Sequence, residues 1–295
     1  MSEPVGFPGG ERASTVSEPV GFPGGERAST VSEPVGSPGG ERGNTVSEPA
    51  GPVDLCGGVR VLFTGRAGGV STGRFATLNM SCQVGDDPVA VTANRERVLR
   101  RIGPGPLRLA WMRQVHGSAV AYIGGEAVVP EAAALRPEAD AVYTDSPLVA
   151  VGALAADCAP VLLADPDARI VGAAHAGRPG LAAGVVPALV AAMTAAGADP
   201  ARMHVIIGPS ICGQCYEVPA RMRDEVGAAV PASACVTRKG TPGIDLRAGL
   251  RAQLAGLGIE RVAHDPRCTA ENADLFSYRR DGPTGRFAGL IWLTR

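Results

Sequence analysis

The chain has four histidines, at positions 116, 175, 204 and 264, and two of them share a setting. His116 closes "WMRQVHG" and His175 closes "IVGAAHAG"; each ends an apolar, strand-like run and steps into glycine, which lets the backbone turn and leaves the imidazole at a strand mouth. Cys158, in "ALAADCAPVLLAD", stands at the junction of two further apolar runs. If these strands lie in one sheet, His116, Cys158 and His175 converge. Two imidazoles and one thiolate then make a zinc site whose fourth position stays open for water or substrate, the arrangement of a catalytic metal. Taken singly, each residue has a plainer role: a hydrogen-bonded histidine in a core, or a cysteine acting as a small hydrophobe.

Other motifs carry less. "CGQC" (Cys212 to Cys215) has the spacing of a redox dithiol or of half a zinc site, but no second C-x-x-C accompanies it, so it reads as structural or as the wall of a pocket. "TGRAGGVSTGRF" resembles a phosphate cradle, yet Arg74 and Phe75 stand where the nucleotide-binding loop needs Lys and Ser or Thr. Nucleoside triphosphate hydrolysis is therefore not expected. Glycine amides with Arg66 or Arg74 still suit an anion, as do Arg279 and Arg280 in "FSYRRDGPTGR", although a surface hairpin or solvated turn is the plainer reading.

The elements that must position these residues begin near Val53. Upstream, "SEPVGFPGGERASTV" occurs twice unchanged, once with substitutions, and breaks off at "SEPAG". The unit is too short and too rich in Pro, Gly, Ser and Glu to bury a face, so residues 1–52 are expected to be a disordered tail. Through Gly51 it carries seven Glu against three Arg, which leaves the rest of the chain at +3 within a total of −1. Residues 53–295 are expected to form one catalytic domain. Strands are predicted at 59–64, 107–116, 119–124, 140–145, 148–154, 160–165, 169–175, 203–208 and 287–293, and helices at 87–103, 180–197, 219–229 and 245–258. Many strands with few intervening helices favour α+β over a doubly wound parallel sheet.

Composition narrows the partners. With no basic block, neither nucleic acid nor an anionic membrane is indicated, and small molecules are expected. "GLAAGVVPALVAAMTAAGA" (Gly180 to Ala198) has the length to span a bilayer, but Leu181, Val185, Leu189 and Met193 fall on one face, which suits a helix packed on a core. The N-terminus lacks the pattern of a secretory signal, and seven cysteines scattered over 295 residues suit reduced thiols, so a cytoplasmic location is expected.

Taken in order, "RAGGVSTGRFATLNMSCQVGDDPVAVTANR", "RQVHGSAV", "ADAVYTD", "LAADCAPVLLADP", "GAAHAG", "GPSICGQCYEV" and "FSYRRDGPTGRFAGLIWL" resemble the bacterial polyphenol oxidase or laccase-domain family, also called purine nucleoside phosphorylases and peptidoglycan editing factors. The resemblance runs from about Val59 to the C-terminus. It implies a four-layer α/β/β/α sandwich with mixed sheets and a zinc site made by His116, Cys158 and His175, with copper as a second possible metal. It also implies phosphorolysis of adenosine, inosine and methylthioadenosine together with adenosine deamination. Phosphorolysis needs an anion site, for which Arg66, Arg178, Arg279 and Arg280 are the candidates. Two stretches depart from the family pattern. "HAGRPG" replaces H-A-G-W-R-G, with Arg178 restoring a cation one position early, and "ICGQC" replaces I-G-P-C-C. The alternatives are a thiol or zinc hydrolase acting on peptidoglycan precursors, with Cys158 as nucleophile, and a copper-binding polyphenol oxidase, for which four histidines are too few to build a trinuclear cluster beside a blue-copper centre.

Overall fold

The structure, a computed structural model, describes residues 51–103, 106, 108–124 and 136–295; the N-terminal repeats, and the tail expected there, lie outside these residues. Two mixed sheets face one another. The first has the order β1 (Val53–Cys56), β2 (Val59–Phe63), β13 (Phe287–Leu293), β6 (Val149–Ala155) and β3 (Arg108–Ala110). The second has the order β12 (Arg261–His264), β9 (His204–Ile207), β7 (Ala159–Asp165), β8 (Ile170–Ala176), β5 (Ala141–Thr144) and β4 (Val120–Tyr122). A hairpin, β10 (Ala234–Val236) with β11 (Pro242–Ile244), stands apart from both.

The alternation of side chains along the strands dictates the layering. Val149, Val151 and Ala153 of β6 meet Leu162 and Ala164 of β7 and Val171 and Ala173 of β8 between the sheets. The opposite face of β7, with Val161 and Leu163, packs under α3 (Val185–Ala195) and α5 (Leu246–Gly256). The outer face of the first sheet, with Leu62, Leu290 and Trp292, is covered by Val98 and Ile102 of α1 (Pro88–Ile102). The result is the α/β/β/α sandwich. Strands β6, β7, β8 and β13 are buried on both faces, which is why they read as unbroken apolar runs.

Local signals set the helix ends. Asp87 caps α1 by accepting from the Val89 amide at 2.9 Å, with Pro88 preformed for the first turn, and Asp245 caps α5 through the Ala248 amide. The apolar 180–198 segment is two helices, α2 (Arg178–Ala182) and α3, because Gly184 adopts a left-handed conformation (φ +76°) between them. Pro187 sits in the first turn of α3 and breaks nothing. Among the described residues no helix is long and apolar enough to cross a membrane. Helix α3 lies so close to β8 that a Cβ on Gly172 would come within 2.9 Å of Met193 Sδ. Further along, α4 (Ala220–Ala229) and α6 (Tyr278–Asp281) complete the α-helices among the described residues.

The expected strand over 107–116 is the main departure. Only residues 108–110 pair with β6; the chain then leaves the sheet, and the side chain of Gln114 takes over the pairing. Its amide donates to the Leu154 carbonyl at 2.8 Å and accepts from the Leu154 amide at 2.9 Å.

Asp165, at the end of β7, is fully buried and accepts from the amides of Asp167, Ala168 and Asp199 and from the Arg202 guanidinium. Burial pushes its carboxyl up, but the Arg202 hydrogen bonds and the backbone amides outweigh that and hold it below the usual carboxylate range. A depressed folded-state pKa stabilises above the unfolded value and is lost as pH falls. Asp165→Asn is therefore predicted to cost about 2 kcal/mol at neutral pH, with the deficit shrinking below about pH 4. Urea denaturation across pH checks this; a deficit that does not change with pH would refute the assignment.

Candidate metal centre

Cys158 lies in the three-residue crossover that carries the chain from β6 in one sheet to β7 in the other. His175 is the penultimate residue of β8, and Pro160 of β7 pairs with it. His116 does not end a strand. It occupies a left-handed turn (φ +63°) in the loop after β3, so the three residues converge from both sheets and a loop rather than from one sheet.

What holds this turn is Asp140, whose side chain is wholly buried just before β5. Its carboxylate accepts from the amides of Val115, His116 and Gly117 at 3.1, 2.9 and 2.6 Å. The same carboxylate lies 2.9 Å from Nδ1 of His175, whose own amide donates to the Asp140 carbonyl at 2.7 Å. One residue thereby fixes the loop bearing the first histidine and the ring of the second. With Nδ1 engaged, Nε2 of His175 is the nitrogen left for other partners.

The donor atoms of His116, Cys158 and His175 all lie within 4.8 Å of one another, a set able to hold a metal ion. Cys158 Sγ is 3.8 Å from His116 Nε2, and the two imidazoles meet edge to face with centroids 4.7 Å apart. Gly177 makes room for them: a Cβ there would come within 2.8 Å of Cys158 Sγ and 2.9 Å of His116 Cδ2. Electrostatics favour the ligand form of the thiol. Burial raises its pKa, but the charge of His175 and hydrogen bonds from both histidines bring it down to about 6. Burial opposes the charge on His175 too, yet Cys158 and Asp140 raise it to about 9.

These residues stand at one wall of a cavity of about 620 Å³. Of the four arginines proposed for anions, Arg178 and Arg279 line it. Arg178 opens α2, directly after the histidine strand, and Arg279 stacks over Tyr216 with its guanidinium 5.3 Å from the ring centroid. Arg66 and Arg280 are not among its lining residues. Arg66 bridges to Asp281 at 3.2 Å and donates to the Ala76 carbonyl, while Arg280 forks onto Asp281 and donates to the carbonyls of Thr269, Asn272 and Leu275. Both guanidinium groups are engaged in fastening loops.

Several contributors were not singled out in sequence. Arg286 lines the cavity, and its burial lowers the guanidinium pKa without removing the charge. Asp157, in a positive-φ conformation beside Cys158, accepts from the hydroxyls of Thr269 and Ser277 and from the Arg279 amide at 2.6–2.7 Å, which moors α6 at the cavity rim. Asp140 carried one usable signal, an acidic residue opening an apolar strand, but its partners lie 23 to 35 residues away.

Residues 60–294 match the family described as multi-copper polyphenol oxidoreductase laccase. The chain belongs to this family. A purine nucleoside phosphorylase of Streptomyces coelicolor is 51% identical over 243 residues, 82% of this chain and 99% of that protein. Another, from Mycobacterium tuberculosis, is 47% identical over 235 residues, 80% of this chain and 92% of its own. Among solved structures, Neisseria meningitidis NMB0706 superposes with a TM-score of 0.73 at 37% identity, covering 83% of this chain and 98% of its own. YlmD of Geobacillus stearothermophilus gives 0.74 at 33% identity, covering 81% and 93%. The match thus spans the sandwich from β2 to β13, including the crossover that carries Cys158.

Asp140→Ala leaves three amides and a ring nitrogen without their acceptor, and is predicted to destabilise the fold by about 3 kcal/mol or more. Chemical denaturation measures it, and a loss below about 1 kcal/mol would show that water replaces the carboxylate.

Proposed function

We propose that this chain is a zinc-dependent purine nucleoside phosphorylase acting on adenosine, inosine and methylthioadenosine, with adenosine deaminase activity at the same site. The observation that carries the reading is the convergence of His116, Cys158 and His175 on a cavity that also presents Arg178, Arg279 and Arg286, in a chain half identical to a protein of that name. The donor set fits the metal: tetrahedral zinc with bonds of about 2.3 Å to sulfur and about 2.0 Å to nitrogen spaces those donors about 3.5 Å apart, against 3.8 Å between Cys158 Sγ and His116 Nε2. Zinc, when bound, supplies a Lewis acid with one position open to water or substrate.

The chain's own residues supply the rest. Arg178 and Arg279 bind phosphate and, with Arg286, offset the negative charge it brings as one of its oxygens bonds to the ribose anomeric carbon; the bond to the purine nitrogen breaks with its electron pair going to the purine, which takes up the proton that hydrogen phosphate releases. Fixing phosphate beside the nucleoside removes the entropic cost of their encounter from the chemical step. Leu154, Ile211 and Leu246 give the cavity apolar walls that exclude water, and Tyr278, which also lines it, offers an aromatic face to the base. Asp140 keeps the proton on Nδ1 of His175 and so presents Nε2 to the metal.

Copper would compete for these donors on raw affinity, but one three-donor centre and four histidines do not make the multi-copper assembly that laccase chemistry uses. A second reading has a specific observation behind it. Without metal, Cys158, His175 and Asp140 form a thiolate, imidazolium and carboxylate relay suited to a thiol hydrolase of peptidoglycan precursors. Metal and phosphate separate the two. Inosine is predicted to yield hypoxanthine and ribose 1-phosphate only with phosphate present, chelation is predicted to abolish turnover, and Arg279→Ala is predicted to raise the phosphate KM by about tenfold or more. Activity that survives chelation and ignores phosphate would favour the thiol enzyme.

A further inference from the structure

The "CGQC" motif finds in the fold the second half that the sequence lacked as a C-x-x-C. Cys212 and Cys215 lie on the loop between β9 and α4, and Cys268 and Glu271 lie, at the same spacing, on the segment between β12 and α6. All four donor atoms fall within 4.8 Å of one another. We propose that Cys212, Cys215, Cys268 and Glu271 form a structural zinc site, separate from the His116, Cys158 and His175 centre, that clips two walls of the cavity together.

The local backbone already has the form such a site needs. The amides of Cys215 and Tyr216 turn back onto the Cys212 carbonyl at 2.9 and 3.0 Å, which folds the C-x-x-C pair so that both sulfurs face one way. The Cys212 amide points at Cys268 Sγ at 3.4 Å, and Cys212 Sγ is 4.0 Å from Glu271 Oε2. Ser210 and Cys268 form a parallel bridge, so the two loops are in register before any ligand binds. Cys268 is buried, Cys212 and Cys215 are half-buried and Glu271 is exposed, leaving one side open for the ion to enter.

The donor set selects the metal class. Three thiolates favour a soft or borderline cation, and four protein ligands close a tetrahedron with no position for substrate, unlike the three-donor centre. A disulfide would use two of the sulfurs and leave the third beside a carboxylate with nothing to bind. Three thiolates and a carboxylate around a divalent ion leave an excess of negative charge, and Arg238 meets it. Its guanidinium lies 3.3 Å from Cys215 Sγ and pairs with the other oxygen of Glu271. The fourth cysteine nearby, Cys235, donates to the Gly213 carbonyl and stays outside.

The site's consequence is positional. Tyr216 follows Cys215 directly and carries Arg279 on its ring, while Arg279 donates to the Glu217 carbonyl at 2.9 Å. Fixing the loop at Cys215 fixes the support of a cavity arginine.

The test is zinc content by mass spectrometry of the full chain, loaded with zinc and freed of excess, in four forms. Wild type is expected to hold about two zinc per chain, Cys158→Ala about one, Cys215→Ser/Cys268→Ser about one, and the combined variant none. If the double serine variant does not fold, cobalt-loaded Cys158→Ala decides the matter: three sulfur ligands give strong thiolate-to-cobalt absorption and tetrahedral ligand-field bands. The proposal is overturned if Cys158→Ala retains no metal, if its cobalt form lacks thiolate charge transfer, or if the cysteines of "CGQC" are found joined as a disulfide in protein purified without reductant.

Discussion

A buried carboxylate with four hydrogen-bond donors around it is the constraint on which the histidine-bearing wall of the cavity depends. Asp140 cannot lose its charge cheaply, since three amides and an imidazole all point protons at it, and the amides cannot turn away without leaving the carboxylate bare. Burial raises its pKa, but the His175 hydrogen bond and the amides of Gly117 and Val115 hold it below the ordinary value. The left-handed conformation of His116 is a consequence: the loop must coil tightly for three consecutive amides to reach one side chain. Two histidines far apart in sequence are thereby made a unit.

The sandwich contributes what a single sheet could not. Moving from β6 to β7 changes sheets within three residues, and Cys158 sits in that step, so its thiol meets an imidazole from β8 on one side and one from the loop on the other. Burial of the flanking strands on both faces keeps that crossover from relaxing, and the Gly177 position admits the donors because it has no Cβ. The arginines that line the cavity come from beyond these strands. Arg178 starts α2, and Arg279 lies on α6, which Asp157 moors from the residue before the cysteine. The candidate metal donors and the cavity's cations are thus tied through adjacent residues of one short segment.

Much of this was legible. The doubly buried strands announce themselves as apolar runs, so β6, β7, β8 and β13 fall within a residue of their expected limits, as do α1 and α4, while α5 ends two residues early. The four-layer arrangement came from the family resemblance, which the matched family and superposed structures support. Short, exposed strands such as β1, β10 and β12 were invisible, because they lack an apolar face to repeat. The 107–116 segment misled for a physical reason: a glutamine side chain imitates a strand residue, so the apolar pattern continues where the backbone has already left the sheet. Arginines were the least legible. Whether Arg66, Arg280 or Arg286 faces the cavity depends on carbonyls and carboxylates that the fold delivers from elsewhere, and no local spacing encodes them.

The proposed chemistry stands or falls on whether His116, Cys158 and His175 take one metal ion between them. The most direct measurement is anomalous diffraction at the zinc edge from crystals of the zinc-loaded protein. A peak is expected about 2.3 Å from Cys158 Sγ and about 2.0 Å from a nitrogen of each imidazole, with Nε2 as the His175 donor. Density showing the three side chains in place with no peak between them, in crystals that carry zinc, would contradict it.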